Sequence, residues 1–224
     1  MTTQTPTENQ TRTADLPQLR RARLDAKRLA DLLLAGAGLV VSSPVLAVCA
    51  AAVKLDDGGP VLFRQTRIGL RGRPFRILKL RSMRVANAGA QVTSAGDSRI
   101  TRVGRLLRAT KLDELPQLVN VVAGDMSLVG PRPEVPRYVA EWPDQARQLI
   151  LSVRPGITDP ASLVFVDEEA ELASADDPER YYREVIVPAK VALYLEYVRG
   201  RSLTRDAAIL LQTLAAVARR ATRR

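Results

Sequence analysis

The feature that most constrains this chain is a long apolar stretch, residues 32–53, which has no charged side chain in 22 positions. At a rise of about 1.5 Å per residue, a helix of that length can cross a hydrocarbon layer of about 30 Å. Ser42, Ser43 and Pro44 lie in its middle, and a proline inside a helix removes a backbone donor and crowds the preceding turn. The stretch is therefore predicted to form two half-helices that meet at Ser43 and Pro44, each too short to span a bilayer alone.

Basic residues flank the apolar stretch on both sides. Five lie before it at positions 20–28, and residues 58–112 carry thirteen against a single acid, Asp97. Because basic segments tend to stay on the cytoplasmic side, a re-entrant hairpin that keeps both clusters inside is favoured over a straight span. The hydroxyls of Ser42 and Ser43 are expected to bind carbonyls freed at the bend. A straight span and a buried core helix of a soluble protein remain as alternatives.

The rest of the chain divides into a tail and one folded domain. The polar residues 1–18 are predicted to be a disordered tail, residues 19–57 a basic lead-in and the membrane hairpin, and residues 58–224 the folded domain. Two segments of β character, 61–67 and 75–83, predict a small antiparallel pair. Residues 87–97, rich in small turn formers, predict a mobile loop. The predicted class is α+β and mostly α.

The amino-acid composition limits the partners that the chain can bind and the side chains that can serve in catalysis. A net charge of +10 implies an anionic partner such as nucleic acid, anionic lipid or a phosphorylated substrate. Only 4% of residues are aromatic, which argues against nucleic acid because stacking surfaces for its bases are scarce. The single cysteine, Cys49, excludes a disulfide framework. Histidine is absent, so carboxylates must serve as general bases and metal ligands.

Two adjacent acids, Asp113 and Glu114, follow the most basic part of the chain. One interpretation is helix capping, because Pro116 favours a first helical turn and acids suit the positive end of the helix dipole. The other is chemistry, because neighbouring cations are expected to lower the pKa of a carboxylate and keep it ionised, able to attack phosphorus or hold Mg²⁺. The neighbouring cations are Arg105, Arg108 and Lys111.

Two loops rich in glycine and proline come next. Arg132 lies between Pro131 and Pro133, and such a rigid turn suits bidentate contact between the guanidinium and phosphate oxygens. Pairing of Arg132 with a neighbouring acid is equally compatible with the spacing. The second loop, residues 154–160, either ends the core or lines the same site.

The C-terminal part has two patterns that bear on the site. Seven carboxylates in residues 167–179 predict either a solvated cap over the basic site or an exposed loop. Further on, apolar residues recur at spacings of four and three on one helical face, which can pack on the core, on a second subunit of a homodimer, or on lipid. They are Leu203, Ala207, Leu210, Leu214 and Val217.

Taken in order, these motifs resemble the bacterial sugar transferase family, the monotopic polyprenyl-phosphate sugar-1-phosphate transferases, over residues 27 to about 214. The matching stretches are KRLADLLL, the Ser-Pro pair, GPVLFRQTRIG, KLRSM, RITRVGRLLR, LDELPQLVNVVAGDMSLVGPRP and RPGIT. The chain departs from the family pattern at Leu80, where phenylalanine is usual. It departs again at GITDPAS, where GITG and a later glutamine are usual.

The resemblance implies an α+β enzyme with a re-entrant membrane helix, a small catalytic domain and interfacial amphipathic helices, on the cytoplasmic face of the inner membrane. Such enzymes move a sugar 1-phosphate from a UDP-sugar to a membrane polyprenyl phosphate, such as undecaprenyl phosphate, and release UMP. The reaction initiates a cell-surface glycan or exopolysaccharide. The alternative is a non-catalytic basic membrane module that binds anionic lipid or nucleic acid; the enzyme itself is not expected to bind nucleic acid.

The resemblance also implies roles for individual residues. Asp113 would be the nucleophile that forms an aspartyl phosphosugar, and Glu114 together with Asp113 would hold Mg²⁺ as the cofactor. Other motif residues would surround the phosphates of the substrates. These are Lys79, Arg81, Ser82 and Arg132, with Arg108 as a weaker candidate.

Overall fold

The computed structural model describes residues 11–84 and 97–222, and describes side chains within residues 26–84 and 97–219. A long N-terminal helix, α1 (Thr11–Asp57), leads into a mostly helical domain that also contains short strands. The predicted class, α+β and mostly α, is confirmed. Residues 1–10 of the predicted tail and residues 87–96 of the predicted mobile loop lie outside the described residues, whereas residues 11–18 belong to α1.

Helix α1 continues without interruption through Ser43 and Pro44, where the sequence predicts a break. Ser43 Oγ donates a hydrogen bond of 2.8 Å to Val40 O. That carbonyl is the one that a backbone N–H at position 44 would bind in an ordinary helix. Two separate half-helices are therefore corrected to one helix, in which a hydroxyl replaces the donor that Pro44 lacks. Ser42 Oγ, expected to act in the same way, has no hydrogen-bond partner among the described residues.

The first half of α1 is anchored to the domain by buried polar contacts. Lys27 Nζ binds Asp206 Oδ2 at 2.5 Å, and Asp31 Oδ1 accepts a hydrogen bond of 3.1 Å from Leu128 N. Ala35 is completely buried in the same region. This half of the helix therefore forms part of the domain core.

The end of α1 is anchored at a second place. The Arg81 guanidinium binds both carboxylate oxygens of Asp57 and donates to Pro60 O at 2.5 Å. Val53 packs beside this pair against Leu107. Both ends of the apolar stretch consequently lie against one folded domain.

The middle of α1 projects away from that domain. Of the six residues at positions 40–45, five are exposed and none is buried, and the exposed fractions of Val40 and Val41 are 74% and 79%. A core helix would bury these side chains, so the alternative of a soluble core helix is not supported. By length and composition, the segment Ala26–Asp57 is long and apolar enough to cross a membrane.

The predicted antiparallel pair is present. Strand β1 (Leu62–Ile68) pairs with β2 (Pro74–Leu80), with Leu62 opposite Leu80. Because side chains alternate across a strand, Leu80 and Lys79 point to opposite faces. Leu80 packs in the core beside Val53, so the leucine in KLRSM serves as an apolar packing residue, and Lys79 faces the cavity described below.

Helices make up most of the remaining chain. They are α2 (Arg102–Thr110), α3 (Gln117–Ala123), α4 (Pro136–Ala140), α5 (Asp144–Ile150), α6 (Pro160–Val164), α7 (Glu168–Ala173), α8 (Pro178–Tyr181), α9 (Val187–Gly200) and α10 (Leu203–Thr222). A π-helical turn, Tyr182–Ile186, joins α8 to α9. Tyr194 and Tyr197 of α9 are fully buried and belong to separate apolar clusters, so α9 lies between the two main parts of the core.

A second strand pair, which the sequence analysis did not predict, brings the two glycine and proline loops together. Strand β3 (Ser127–Val129) runs parallel to β4 (Gly156–Thr158). A Cβ atom on Gly156 would collide with the backbone of Gly130, so both positions require glycine for this close approach. The loop that carries Arg132 is thereby held against the strand that follows Pro155.

Candidate active site

One cavity of about 820 Å³ holds most of the predicted site residues. It lies between α2, the turn that follows α2, α6, α7, α9 and α10. Five of the predicted residues line it, namely Lys79, Arg108, Asp113, Glu114 and Arg132.

The acids lie on a tight turn between two helices. Lys111 ends α2 in the left-handed region with φ of 58°, and Leu112–Glu114 form a single 3₁₀ turn before α3 begins at Gln117. Pro116 occupies the N-cap position of α3, which has no side-chain cap hydrogen bond. Asp113 is therefore not a helix cap, and the capping interpretation of the two acids is not supported.

Asp113 is a buried carboxylate with an unused oxygen. Its exposed fraction is 5%, and Oδ1 has no hydrogen-bond partner among the described residues. Burial, and then the negative charge of Glu114, raise the pKa of Asp113 despite the nearby Lys79 and Lys111. The expected lowering of the pKa is wrong for this residue, because its burial depends on tertiary packing that the local charge pattern does not reveal.

Glu114 is the charged partner of the pair. Its Oε1 accepts from Lys79 Nζ at 2.8 Å and from Arg132 Nη2, and its Oε2 accepts from Arg132 Nη1 at 3.3 Å. Burial acts to raise the pKa of Glu114, but the positive charges of Arg132, Lys79 and Lys111 outweigh it and hold the pKa well below the usual range. For Glu114 the expected lowering is confirmed.

Arg132 pairs with an acid, as one of its two sequence interpretations expected, and that acid is Glu114, which also lines the cavity. Arg132 Nη1 also donates to Ile157 O at 3.3 Å, which connects the guanidinium to β4. The two prolines and the close contact of Gly130 with Gly156 position the backbone. Arg132 therefore links Glu114 to the parallel strand pair.

The acidic segment closes one side of the cavity. Glu169 of α7 binds Arg108 Nη2 at 2.5 Å, and Glu168 binds Lys190 Nζ at 2.6 Å. Both glutamates line the cavity. This agrees with the first of the two sequence interpretations, a cap over the basic site.

Two predicted phosphate-binding residues are placed elsewhere. Arg81 is occupied by Asp57 and Pro60 at the end of α1. Ser82 is buried, and its carbonyl accepts from Thr101 N at 3.1 Å. Neither residue lines the cavity, so the structure gives Arg81 the position of a structural anchor between the helix and the domain.

The GITDPAS segment forms a helix cap at the edge of the cavity. Asp159 is completely buried, and its Oδ1 accepts from Ala161 N at 2.6 Å and Ser162 N at 3.1 Å. Pro160 occupies the first turn of α6, which suits its fixed φ and missing donor. This cap places Ala161 and Ser162 in the cavity wall.

A further wall of the site was not predicted from the sequence. One face of α10 lines the cavity, and Thr213 Oγ1 of that helix is 2.7 Å from Thr158 Oγ1 of β4. The apolar residues at spacings of four and three were the available signal in the sequence. Such a pattern shows which residues share a helical face, but it does not identify the surface that the face contacts. The α10 residues concerned include Leu210, Thr213, Leu214 and Val217.

Comparison with known proteins agrees with this arrangement. Residues 22–220 match the bacterial sugar transferase family, a class of enzymes, and the chain belongs to that family. The predicted family and the prediction of an enzyme of this type are confirmed.

Individual relatives carry more specific names. The UDP-glucose:undecaprenyl-phosphate glucose-1-phosphate transferase of Caulobacter vibrioides is 41% identical over 194 residues, which cover 84% of this chain and 68% of the relative. A protein of the same name from Escherichia coli K12 is 41% identical over 196 residues, 84% of this chain and 39% of the relative.

A third relative is named for a different sugar. The UDP-N-acetylgalactosamine-undecaprenyl-phosphate N-acetylgalactosaminephosphotransferase of Aeromonas hydrophila is 38% identical over 192 residues, 84% of this chain and 42% of the relative. The match with the Escherichia coli and Aeromonas relatives therefore covers less than half the length of each relative.

Proposed function

We propose that this protein transfers a sugar 1-phosphate from a UDP-sugar to a membrane polyprenyl phosphate, with Asp113 as the nucleophile. The observation that carries the proposal is one cavity in which Asp113 Oδ1, which has no hydrogen-bond partner among the described residues, lies beside a Glu114 held by Lys79 and Arg132. The names of the relatives, which specify UDP-sugars and undecaprenyl phosphate, support the same reaction. The product begins a cell-surface glycan or exopolysaccharide.

The reaction proceeds in two displacements at one phosphorus atom. A carboxylate oxygen of Asp113 attacks the β-phosphorus of the donor, the bond to the bridging oxygen breaks, and UMP leaves with the electron pair. A phosphate oxygen of the acceptor then attacks the same phosphorus, which releases the Asp113 carboxylate and forms the polyprenyl diphosphate sugar. An ionised acceptor phosphate needs no general base, in keeping with a chain that has no histidine.

The neighbouring cations stabilise charge during both displacements. Lys79 and Arg132 hold Glu114 in the free protein and lie where they can also bind the phosphate oxygens of the donor. Fixed positive groups aimed at developing charge are the main source of catalysis in phosphoryl transfer. Arg108 lines the same cavity and contributes positive charge from the side of α2.

The two acids also suit Mg²⁺. Within the described residues no group of three or more metal-ligating side chains occurs, but Mg²⁺ is commonly held by one or two carboxylates together with substrate phosphates. Asp113 offers a buried oxygen that no described residue binds, and Glu114 would exchange part of its contact with Lys79 and Arg132 for the ion. Bound Mg²⁺ would neutralise charge on the phosphates and the UMP leaving group.

The most direct test of this function is release of UMP. Purified protein with polyprenyl phosphate, Mg²⁺ and a panel of UDP-sugars is expected to release UMP with one or a few donors, and a chelator is expected to stop the release. The same panel identifies the donor, because the relatives include enzymes named for glucose and for N-acetylgalactosamine. Absence of UMP with every donor would favour a basic module that binds anionic lipid without chemistry.

Glu114→Gln is expected to shift the acidic limb of the pH profile of kcat/KM to lower pH. Asp113 must be ionised to attack, so turnover falls as pH drops through its raised pKa. The variant removes the charge of Glu114, one cause of that raised pKa, and frees Lys79 and Arg132 to stabilise the Asp113 carboxylate. If the acidic limb of the profile stays in place or moves to higher pH, the charge of Glu114 does not raise the pKa of Asp113 as expected.

The anchoring of α1 supports a re-entrant topology. Asp31 and Asp57 contact the same domain from the two ends of the apolar stretch, and the segment between them projects from it. We propose that both ends lie on the cytoplasmic side of the inner membrane and that the middle of α1 lies in the inner leaflet, which requires the continuous helix to bend near Pro44. This arrangement keeps Asp113 at the depth of the lipid headgroups, where a soluble donor and a lipid acceptor meet.

Cysteine labelling tests the topology. Cys49→Ser leaves a chain without cysteine, to which Leu29→Cys or Leu55→Cys adds one exposed thiol on either side of the apolar stretch. A membrane-impermeant maleimide is expected to label neither variant in intact cells and both after permeabilisation. Labelling of one variant in intact cells would show a straight span instead.

A further inference from the structure

One face of α10 forms an apolar wall of the catalytic cavity. Leu210, Thr213, Leu214 and Val217 line the cavity, and their spacing of three, four and seven residues places them on one side of the helix. Leu214 is 65% exposed, so a ligand in the cavity can reach it. Asp113 lines the same cavity.

The wall formed by α2 has the opposite character. Arg105 and Arg108 of α2 and the following Lys111 line the cavity. The cavity therefore presents cations along one helix and hydrocarbon along another, and Asp113 follows the last of these cations, Lys111, by two residues. A ligand that combines an anionic phosphate with an apolar chain matches both walls.

The start of α10 lies next to the membrane segment. Asp206, in the first turn of α10, binds Lys27 Nζ at 2.5 Å and accepts from Tyr197 Oη at 2.7 Å. Lys27 precedes the apolar stretch of α1 by five residues. Because a basic residue beside a membrane segment lies at the level of the headgroups, α10 starts at that level and passes along the cavity.

We infer that the cavity face of α10, defined by Leu210, Leu214 and Val217, binds the isoprenoid chain of the acceptor and guides its phosphate to Asp113. The inference rests on the proposed function and adds a subsite for the lipid part of the acceptor. The donor has no comparable hydrocarbon, since it consists of a nucleotide and a sugar. Contact with α10 therefore matters for the second displacement and not for the first.

The chain offers a matched pair of variants for the test. Leu214 and Leu211 are neighbours on α10 with similar exposed fractions, 65% and 68%, but only Leu214 of the two lines the cavity. Leu214→Glu is expected to lower kcat/KM for undecaprenyl phosphate about tenfold, because a charge replaces apolar contact. Leu211→Glu is expected to change it less than about twofold, and Leu214→Ala is expected to give an intermediate loss.

Labelling with donor alone separates the two displacements. Incubation with radiolabelled UDP-sugar and no acceptor is expected to label wild type, Leu214→Glu and Leu211→Glu equally, which also shows that the variants are folded. Equal losses of acceptor turnover in both glutamate variants would indicate general contact with the bilayer and overturn the inference. Loss of labelling in Leu214→Glu alone would show that this face of α10 contacts the donor, and would also overturn the inference.

Two further outcomes complete the test. Full acceptor turnover in Leu214→Glu would overturn the inference. If the variant also changes oligomeric state on size-exclusion chromatography, the apolar face of α10 contacts a second copy of the chain; if it does not, that face binds no ligand. Failure of the wild type to label with any donor, by contrast, would count against the aspartyl intermediate of the proposed function. The two failures are therefore distinguishable.

Discussion

Asp113→Asn is expected to lower turnover at least about 10³-fold, the order of loss found when an enzyme's nucleophile is removed. Asparagine has nearly the same shape, but its amide cannot form the bond to phosphorus. The fold should tolerate the change, because burial already disfavours the charged form of Asp113 and a neutral amide removes that cost. UMP release and the melting temperature, measured on the same preparation, check the two parts of this expectation.

Asp144→Asn serves as the matched control. Asp144 is a largely exposed acid at the start of α5 and does not line the cavity. Its replacement is expected to leave UMP release within about twofold of wild type. If Asp113→Asn retains more than about a tenth of wild-type turnover, Asp113 is not the nucleophile.

Arg132→Ala is expected to lower kcat/KM by about 10²- to 10³-fold, the range for loss of a group that stabilises transition-state charge. The variant removes a phosphate ligand and also releases Glu114 from its bidentate partner. Arg132→Lys keeps the charge but not the planar fork, so its activity should fall between those of Arg132→Ala and wild type. Steady-state kinetics with the preferred UDP-sugar measure both variants.

Arg105→Ala is the comparison for Arg132. Arg105 lines the same cavity and carries the same charge, but the contacts of Glu114 are made by Lys79 and Arg132. A loss in Arg132→Ala no larger than that in Arg105→Ala would mean that only the overall positive charge of the cavity matters. The specific role of the guanidinium beside Glu114 would then be wrong.

Sequence patterns and the family resemblance together pointed to residues that the structure brings close to one another, and their catalytic roles stay predictions. Five of the motif residues, including Asp113, Glu114 and Arg132, meet in one cavity. The antiparallel pair β1 and β2 was predicted as well, since two segments of β character flank a short turn rich in glycine. The strand pair depends on local pattern, which a sequence shows directly.

Features that depend on contacts between residues far apart in the sequence could not be predicted from local pattern. Arg81 was expected at the phosphates because its motif lies near the site, but Asp57, 24 residues earlier, binds it. The direction of the pKa shift of Asp113 depends on burial by packed helices. Strands β3 and β4 have three residues each, too few to show an alternating pattern.

The continuity of α1 has a different cause. Pro44 alone predicts a break, but the hydrogen bond from Ser43 to Val40 O supplies the donor that the proline lacks, so the helix continues. The apolar stripe of α10 was recognised, but a stripe fixes only which residues share a face. Its position against the cavity follows from contacts with β4 and α1, made by Thr213 and Asp206.

The most direct measurement is the intact mass of the protein after incubation with its UDP-sugar and Mg²⁺ in the absence of polyprenyl phosphate. The account predicts a mass increase equal to one sugar phosphate, located by peptide mapping on Asp113, with stoichiometric release of UMP and no increase in Asp113→Asn. Rapid UMP release that occurs only when the acceptor is present, with no adduct on the protein, would contradict it and indicate direct transfer between the two substrates.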